Sequence, residues 1–461
     1  MRRPALVLTV GVFLLTSLSV GQWGPDIRLT NDGSASRLGY NNARNLAAGG
    51  ETLHVVWSDT RDGNEEIYYK RSNNAGRDWQ ADVRLSNATG SSWYPAVAAT
   101  GNDVHVIWKD DRTGTRLIYH RCSTDGGQSW SETQCLSDTL ILTGNPALAA
   151  TERAVHLVCH RFDNEVNRIC YRRSEDRGST WSSPLELSPD SISSWIASIA
   201  VSGADVHVVW SSDQDGDQEV YYRRSTDHGE SWGEGVRITS DTAPSVNVAV
   251  ASTGTDVHIV WQYVCTPGQS HLRHAVSTDR GTTWQASAQL TTVPTQWMRP
   301  TIAASGGFVH IVTNLCRPSE ELYYWLSTDR GSSWEPEYVL TPDDSATSIC
   351  PFIALSVPIV HVVWEEYRDG NSEIYYKQNP NGSSGIGEIG AKGASHTRRP
   401  ASAVRAVLQL RQTQAAELLD ISGRRVMDLC PGENDVRHLA PGVYFVRTER
   451  GAKAGRVLIV R

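Results

Sequence analysis

A unit of about fifty residues recurs along the chain, and this repetition constrains the fold more than any other feature. Each unit holds four short apolar strands separated by turn signals, which is typical of the blades of a β-propeller. The third strand of each unit follows a recognisable phrase, from IYYKRS (67–72) to IYYKQN (374–379). The sequence therefore predicts an all-β fold with a seven-bladed propeller over residues 22–382. A histidine inside the second strand marks the seven units, at His54, His105, His156, His207, His258, His310 and His361.

An octet of the form Ser-x-Asp-x-Gly-x-x-Trp follows the third strand, but only six copies are contiguous. The first copy, SNNAGRDW (72–79), is the weakest, and unit seven breaks off at QNPNG (378–382) without one. The segment WGPDIRLT begins at Trp23 and keeps the octet's spacing from Trp to the next apolar strand residue, Leu29. We therefore expect residues 22–30 to form the fourth strand of the last blade, which closes the ring and pairs otherwise exposed strand edges.

The octet's composition indicates a tight turn. Asp and Ser side chains accept hydrogen bonds from nearby backbone N–H groups, and Gly supplies a positive φ. Copies spread around a ring share no single substrate, so we interpret them as structural. The five strong copies place their aspartates at Asp125, Asp176, Asp227, Asp279 and Asp329.

The octets resemble Asp-boxes, the bacterial neuraminidase repeats (BNR) of sialidases and other secreted propellers. The resemblance covers residues 22–382 and implies that the boxes lie on the face opposite the functional one. For a sialidase it also implies three arginines around the sugar carboxylate, a tyrosine nucleophile with a glutamate partner, and an aspartate acid/base. This sequence has no Arg-Ile-Pro motif, and it has seven units where sialidases have six blades. These departures favour a non-catalytic module that binds a glycan or a protein. The alternative is an exo-sialidase-like glycoside hydrolase that acts on terminal sialic acids, and a third possibility is a purely structural surface protein.

Ligand-binding candidates lie where the first strands begin and the second strands end. Flat aromatic rings and fork-shaped guanidinium groups suit sugar faces and carboxylates. Three arginines occupy one repeat position after the second strand, where they form either an anion clamp or Asp–Arg pairs within a hairpin. The three tryptophans either contact ligand or fill gaps between blades. The candidates are Trp93, Trp195, Trp297, Arg44 and Arg299, together with the repeat arginines Arg61, Arg112 and Arg368.

Unit four contains DQDGDQE, whose carboxylates alternate as in a calcium loop. The candidate ligands are Asp213, Asp215, Asp217 and Glu219, although the complete spacing of such a loop is absent. The seven strand histidines, one in each blade, cannot gather around one metal, and we interpret them as packing residues. No other cofactor is expected.

The two ends of the chain indicate export. Residues 1–21 have a charged start, an apolar run and a small-residue cleavage site, as in a signal peptide. No later apolar stretch has the length of a transmembrane helix. The net charge of −8 does not indicate a nucleic-acid-binding protein. We expect a secreted protein or one attached to the outer-membrane surface.

A Gly/Ser-rich linker (383–403) precedes a predicted small immunoglobulin-like β-sandwich (404–461). Its phrases DISGRRVMDL and LAPGVYFVRTERG, followed by a basic last strand, resemble the type IX secretion sorting domain. The resemblance implies that the secretion machinery is a partner of this domain; the alternative is an ordinary β-sandwich module.

The eight cysteines leave disulfide connectivity open. Cys122 with Cys135 and Cys159 with Cys170 are plausible local pairs.

Overall fold

The computed structural model describes residues 23–382, apart from 40–43, 138–141, 164–165, 190–192, 318 and 342–345. Beyond them it describes residues 407–410, 416–419, 424–429, 432–435, 442–448 and 455–459. The predicted signal peptide and linker lie outside these ranges. The chain divides into two compact units, one within 20–383 and the other within 384–461. The elements assigned in the described ranges are all strands, and no helix there is long and apolar enough to cross a membrane.

Seven antiparallel sheets confirm the predicted seven-bladed propeller. The strands of each blade are numbered one to four from the central axis outward. The first strands are Leu46–Gly49, Ser92–Thr100, Leu142–Ala150, Ser194–Ser202, Ser245–Thr253, Thr301–Ser305 and Ser348–Ser356. The second strands are Thr52–Asp59, Asp103–Asp110, Val155–Asp163, Asp205–Ser212, Asp256–Thr266, Phe308–Cys316 and Ile359–Glu366. The third strands are Glu66–Ser72, Leu117–Ser123, Val166–Ser174, Glu219–Ser225, Gln269–Ser277, Glu320–Ser327 and Glu373–Asn379.

The fourth strands have two residues each. Those of blades one to six are Val83–Arg84, Gln134–Cys135, Leu185–Glu186, Val236–Arg237, Ala288–Gln289 and Tyr338–Val339. An extra short strand, Ser36–Arg37, pairs with the end of the second strand of blade one.

The N-terminal strand Ile27–Arg28 closes the ring as the fourth strand of blade seven. It pairs antiparallel with the third strand, with Ile27 opposite Tyr376. It also repeats an ion pair found inside blade one, because Arg28 contacts Glu373 at 2.8 Å as Arg84 contacts Glu66 at 2.8 Å. The predicted closure is confirmed, and the two ends of the propeller are held by one sheet.

The C-terminal unit contains two antiparallel sheets. One pairs Val407–Leu410 with Gly432–Asp435. The other has the strand order Arg425–Leu429, Ala416–Leu419, Gly442–Thr448 and Gly455–Ile459.

Small side chains line the axis where the seven first strands converge. Each blade places an alanine opposite its second-strand histidine, as Ala200 is opposite His207. These alanines surround a central cavity of about 220 Å³. Seven strands leave little room at the axis, which favours the smallest apolar side chain there. The set is Ala47, Ala98, Ala149, Ala200, Ala251, Ala303 and Ala354.

A three-ring contact joins every blade to the next. In blade four, His207 Nδ1 lies 2.8 Å from the hydroxyl of Tyr222, and burial lowers the pKa of His207 to about 4, so its ring is neutral. The octet Trp284 of blade five then packs edge-on against Tyr222, with centroids 5.0 Å apart. Blades two and five have a histidine in place of the tyrosine. The Tyr/His–Trp pairs are Tyr376–Trp79, Tyr69–Trp130, His120–Trp181, Tyr171–Trp232, Tyr222–Trp284, His274–Trp334 and Tyr324–Trp23.

The octet's Ser and Asp side chains build the turn that presents this tryptophan. In blade four, Ser225 Oγ donates to Asp227 Oδ1 (2.6 Å) and accepts from Gly229 N–H (2.8 Å). Asp227 also accepts the N–H of Ser231 at 2.9 Å. The same bonds recur around Asp125, Asp176, Asp279 and Asp329. The hydrogen bonds lower the pKa of Asp227, with the side chains of Ser225 and Ser231 contributing most. The aspartates thus hold the turn.

Replacing Gly229 with Ala tests this contact. Its φ is +82°, and a Cβ there would overlap the Tyr171 hydroxyl of the preceding blade. Gly203 has a φ of +62° but nothing within 4 Å of a Cβ, so Gly203→Ala is a matched control. We expect Gly203→Ala to cost about 1–2 kcal/mol for the left-handed backbone alone, and Gly229→Ala to cost roughly 1–3 kcal/mol more from overpacking. Urea unfolding of both variants measures the difference; equal losses would contradict it.

Candidate functional site

The propeller has two chemically different faces. The octets share one face with the turns between first and second strands, as shown by the bond from His228 N–H to the carbonyl of Ala204 at 2.8 Å. The opposite face, here called the mouth face, is formed where first strands begin and second strands end, for example at the paired Ser194 and Ser212. The octet face repeats one turn. The mouth face differs from blade to blade.

A bulge in the first strand shapes the mouth face in five blades. The register shifts there by one residue: between Trp195 and Ser198, two residues of the first strand lie opposite one residue of the second strand. In each of the five bulges, one residue that is not glycine has a positive φ. In blade four this residue is the β-branched Ile196, which follows Trp195 and has a φ of +46°. Bulges re-aim side chains, and such backbone strain clusters at functional sites. The five residues are Tyr94, Asn145, Ile196, Asn247 and Cys350.

The three candidate tryptophans differ in exposure. Trp297 is 70% exposed, whereas Trp93 and Trp195 are half-buried. Lys109 Nζ lies 5.8 Å from the Trp93 ring centroid. Trp297 therefore offers the largest free aromatic surface of the three.

The repeat arginines are occupied by their own hairpins. Arg61 lies 2.6 Å from Asp59, Arg112 lies 2.5 Å from Asp110, and Arg368 lies 2.6 Å from Glu366. Burial alone would raise the pKa of Asp59, but hydrogen bonds from Arg61 and from Ser36 and Trp57 lower it. This geometry corresponds to the Asp–Arg hairpin alternative rather than to a clamp open to an anion. The guanidinium groups also lie over Tyr68, Tyr119 and Tyr375 at 4.3, 4.3 and 4.9 Å.

The remaining two arginines lie nearer the axis. Arg44 lines the central cavity, where burial lowers its pKa. Arg299 donates to Cys350 Sγ at 2.9 Å, and its backbone N–H is fixed by Asn314 Oδ1 at 3.0 Å. Arg299 and Trp297 border one depression of about 350 Å³, together with Asn314, Glu320 and Ile349.

A buried carboxyl group, Glu365, lies at the end of the second strand of blade seven, opposite Ile349, which borders this depression. It is fully buried, and Leu38 N–H donates to Oε1 at 2.7 Å. The Tyr367 hydroxyl lies 3.5 Å from Oε2. Burial raises the pKa of Glu365 to about 7, and the bond from Leu38 and the charges of Arg299 and Arg37 only partly oppose the rise. A carboxyl group with this pKa can donate or accept a proton near neutral pH.

We name Glu365, Tyr367, Cys350, Arg299 and Arg37 the mouth cluster. The thiol of Cys350 is buried, which raises its pKa, and the charge of Glu365 raises it further. Burial and Glu365 likewise raise the pKa of Tyr367. The cluster thus combines proton-transfer groups and cations beside an exposed indole ring.

Sequence reasoning singled out Arg299 and Trp297 but missed Glu365 and Tyr367. Both stand in WEEYRDG (364–370), the segment that also contains the candidate Arg368. The sequence feature that points to Glu365 is its departure from the repeat. The corresponding segments WSDTRDG and WKDDRTG have Ser58 and Lys109 at its position. An acidic residue at a position that other blades fill differently needs a local cause.

The calcium candidates do not assemble in the described part of the chain. Asp215 accepts hydrogen bonds from Tyr221 and Arg237, and Glu219 contacts Arg237 at 2.6 Å. The four carboxylates are not among the groups of described residues close enough to share an ion.

The cysteines with plausible local pairings are free thiols. Cys159 and Cys170 are directly opposite each other on adjacent strands, but no disulfide bond joins them. The register places Cys135 opposite Tyr119 and Cys122 opposite His105, so the second pair is not brought together by the strands. Cys430 lies outside the described residues.

This fold and site define a repeat propeller with one structural face and one variable face. The chain belongs to the BNR repeat-like domain family, which matches residues 117–378. No curated protein matches the sequence.

Several solved structures share the fold. An ulvan lyase, described as a new family of polysaccharide lyase, is 14% identical with a TM-score of 0.58, over 76% of this chain and 95% of its own. Its complex with a GlcA(1-4)Rha3S glycan is 13% identical with a TM-score of 0.57, over 76% and 95%. The polysaccharide lyase Uly1 is 11% identical with a TM-score of 0.55, over 78% and 99%. Likeness at these identities establishes the fold alone.

The buried carboxyl group predicts a pH-dependent stability. Because the folded-state pKa of Glu365 is about 7 against an ordinary 4.5, its stabilising contribution is full below about pH 4.5 and is lost as the pH rises through 7. A difference of this size corresponds to on the order of 3 kcal/mol. Glu365→Gln does not titrate, so its stability relative to the native chain should increase from pH 5 to pH 8. Urea unfolding at both pH values measures this, with the exposed Glu51→Gln as the control; a pH-independent difference would contradict the assignment.

Proposed function

We propose that the propeller is a secreted, non-catalytic glycan-binding module that takes an acidic sugar in the depression beside the mouth cluster. The observation that carries this proposal is Trp297, which is 70% exposed at the rim of a depression that also contains Arg299. An indole ring stacks on the apolar face of a sugar, and a guanidinium group pairs with a carboxylate. Trp297 and Arg299 provide both contacts within one depression.

The charge of the mouth cluster depends on the state of Glu365. With Glu365 protonated, the cluster loses one negative charge and keeps the cations Arg299 and Arg37. The nearby carboxylates include Glu65, which lies 3.7 Å from Arg37, and Glu320, which borders the depression with Arg299. Protonation therefore favours an anionic ligand, and ionisation near pH 7 disfavours it. Among the fold relatives, one polysaccharide lyase was solved with a glycan that contains GlcA, a sugar acid. That complex supports the choice of acidic glycans as the first ligands to test.

Replacing Trp297 with Ala should weaken glycan binding without unfolding the propeller. We expect a loss of about tenfold, equivalent to ~1.4 kcal/mol, in the affinity for any acidic polysaccharide found on a glycan array. Val236→Ala, which removes an exposed apolar side chain from the edge of blade four, is the control and should bind normally. Unchanged binding by Trp297→Ala would contradict the proposed site. If the native chain binds a protein but no glycan, the module is a protein-binding one and the glycan proposal is wrong.

A second candidate function is an exo-sialidase-like glycoside hydrolase. The observation that favours it is the Glu365–Tyr367 pair beside Arg299 and Arg37, since a tyrosine paired with a glutamate is the nucleophile that the sialidase resemblance implies. Glu365, with a pKa of about 7, is able to accept the proton of a tyrosine hydroxyl at neutral pH. Against this reading, Tyr367 and Glu365 are 3.5 Å apart, a long hydrogen bond, and Arg299 is turned toward Cys350. We therefore rank it below binding.

Incubation with a fluorogenic sialoside separates the two functions. The binding proposal predicts no release of sugar. Release that Tyr367→Phe abolishes, while glycan binding persists, would establish the hydrolase instead; release that Tyr367→Phe leaves intact would exclude this tyrosine as the nucleophile.

We further infer that residues 1–21 direct export and that residues 404–461 act as a type IX sorting domain. This proposal is supported by the charged and apolar start of the chain and by the phrases DISGRRVMDL and LAPGVYFVRTERG. A chain truncated after residue 403 should stay in the periplasm of a host that has this secretion system. Its normal appearance at the cell surface or in the medium would count against the assignment.

A further inference from the structure

One group of metal-ligating side chains lies away from the mouth face, at the octet end of blade two. A ring nitrogen of His105, a ring nitrogen of His120 and the sulfur of Cys122 all lie within 4.8 Å of one another. Both histidines are buried and Cys122 is half-buried. His105 is opposite Cys122 across two strands, and His120 precedes Cys122 by two residues on the same face of its strand.

We propose that His105, His120 and Cys122 bind one thiophilic d¹⁰ metal ion, zinc(II) or copper(I). This site is independent of the glycan-binding proposal.

The distances suit such an ion. His105 Nδ1 and His120 Nε2 are 3.2 Å apart. Two nitrogens at 2.0–2.1 Å from a tetrahedral zinc are separated by roughly 3.4 Å, and a zinc–sulfur bond of about 2.3 Å places the sulfur roughly 3.6 Å from each nitrogen. Because Cys122 Sγ already lies within 4.8 Å of both nitrogens, it needs to move by at most about 1.2 Å. Imidazole and thiolate donors together select zinc and copper over magnesium or calcium.

The surroundings favour the ligating forms of these side chains. The 3.2 Å contact between His105 Nδ1 and His120 Nε2 requires one of these two nitrogens to present a lone pair, which is the form that binds a metal. The Gln134 side chain hydrogen-bonds the His120 ring, as second-layer groups do for metal-bound histidines. Gly178 covers the pair without a side chain; a Cβ there would lie 2.5 Å from His120 Cε1 and 3.3 Å from His105 Nδ1. Binding forms two nitrogen–metal bonds and one sulfur–metal bond, and the thiol proton leaves to solvent.

The other blades show that the donor set results from two separate departures from the repeat. Five blades place a tyrosine at the position of His120. Blade five also has a histidine pair, His258 and His274, with 3.2 Å between nitrogens, but the position of Cys122 is filled by Val276. Blade five is therefore an internal control that has the two histidines and lacks the thiol.

Zinc uptake by the full chain tests the proposal. After treatment with a chelator, titration with Zn²⁺ followed by calorimetry and elemental analysis should give one tightly bound equivalent. Cys122→Val, which copies blade five, and His120→Tyr, which copies the other five blades, should each weaken binding at least tenfold. Both substitutions use side chains that the repeat already accommodates at these positions, and thermal melts check that the fold is kept.

A gain-of-site variant sharpens the test. Val276→Cys should add a second equivalent in blade five, and Co²⁺ loading should give a thiolate-to-cobalt absorption band in the native chain that Cys122→Val loses. Cys135→Ser controls for the neighbouring exposed thiol and should bind normally. A copper(I) titration on the same variants distinguishes the two ions. Absence of uptake of either ion by the native chain, or equal uptake by the native chain and Cys122→Val, would overturn the proposal.

Discussion

The edge-on contact between an octet tryptophan and the tyrosine or histidine of the preceding blade is the interaction on which the propeller depends. No blade forms it alone, because the tryptophan and its partner always come from different sheets, as with Trp232 and Tyr171. The partner ring is fixed by a second-strand histidine, and the octet glycine lets the turn approach its hydroxyl or imidazole edge. Stability is therefore a property of neighbouring blades, as in other repeat proteins. A ring of such contacts must close on itself, and Trp23 completes it by packing against Tyr324 of blade six.

Much of this architecture could be predicted because it repeats. The spacing of the seven strand histidines predicted seven blades. The offset from Trp23 to Leu29 predicted the closing strand, because the six octet tryptophans have the same offset to the next apolar strand residue. The bulges at Tyr94 and Ile196 could not be predicted, because a positive φ is uncommon for any residue other than glycine and is an outlier for a β-branched residue such as Ile196. Glu365 was missed for a related reason: its importance comes from its burial and from the N–H of Leu38, a residue that is distant in sequence and belongs to no periodic pattern.

The repeat arginines show how a periodic pattern misleads about function. Arg61 and Arg368 recur at one repeat position in neighbouring blades, which suggested an anion clamp, but a carboxylate recurs with each of them two residues earlier and binds it. Arg61 contacts Asp32, Asp59 and Asp82 at 2.6–2.8 Å. A guanidinium group surrounded by three carboxylates has little remaining attraction for a fourth. Arg299, which belongs to no such hairpin, borders an open depression instead.

Function in this propeller is therefore best sought where one blade differs from the others. Blade one provides the clearest example beside the mouth cluster. Ala98 follows Ser92 by six residues in blade two, whereas Ala47 follows Ser36 by eleven, although both pairs hold the same register positions. The extra residues start at Leu38, whose N–H binds the carboxyl group of Glu365. An insertion at the bulge of one blade thus buries an acidic residue contributed by its neighbour, and burial raises the pKa of that residue to about 7. The same logic applies to blade two, where a histidine replaces the tyrosine and a cysteine adds a third donor. Both departures leave the ring contacts between blades in place, as Tyr376–Trp79 and His120–Trp181 show. Single blades can therefore carry different functional side chains while the propeller stays closed.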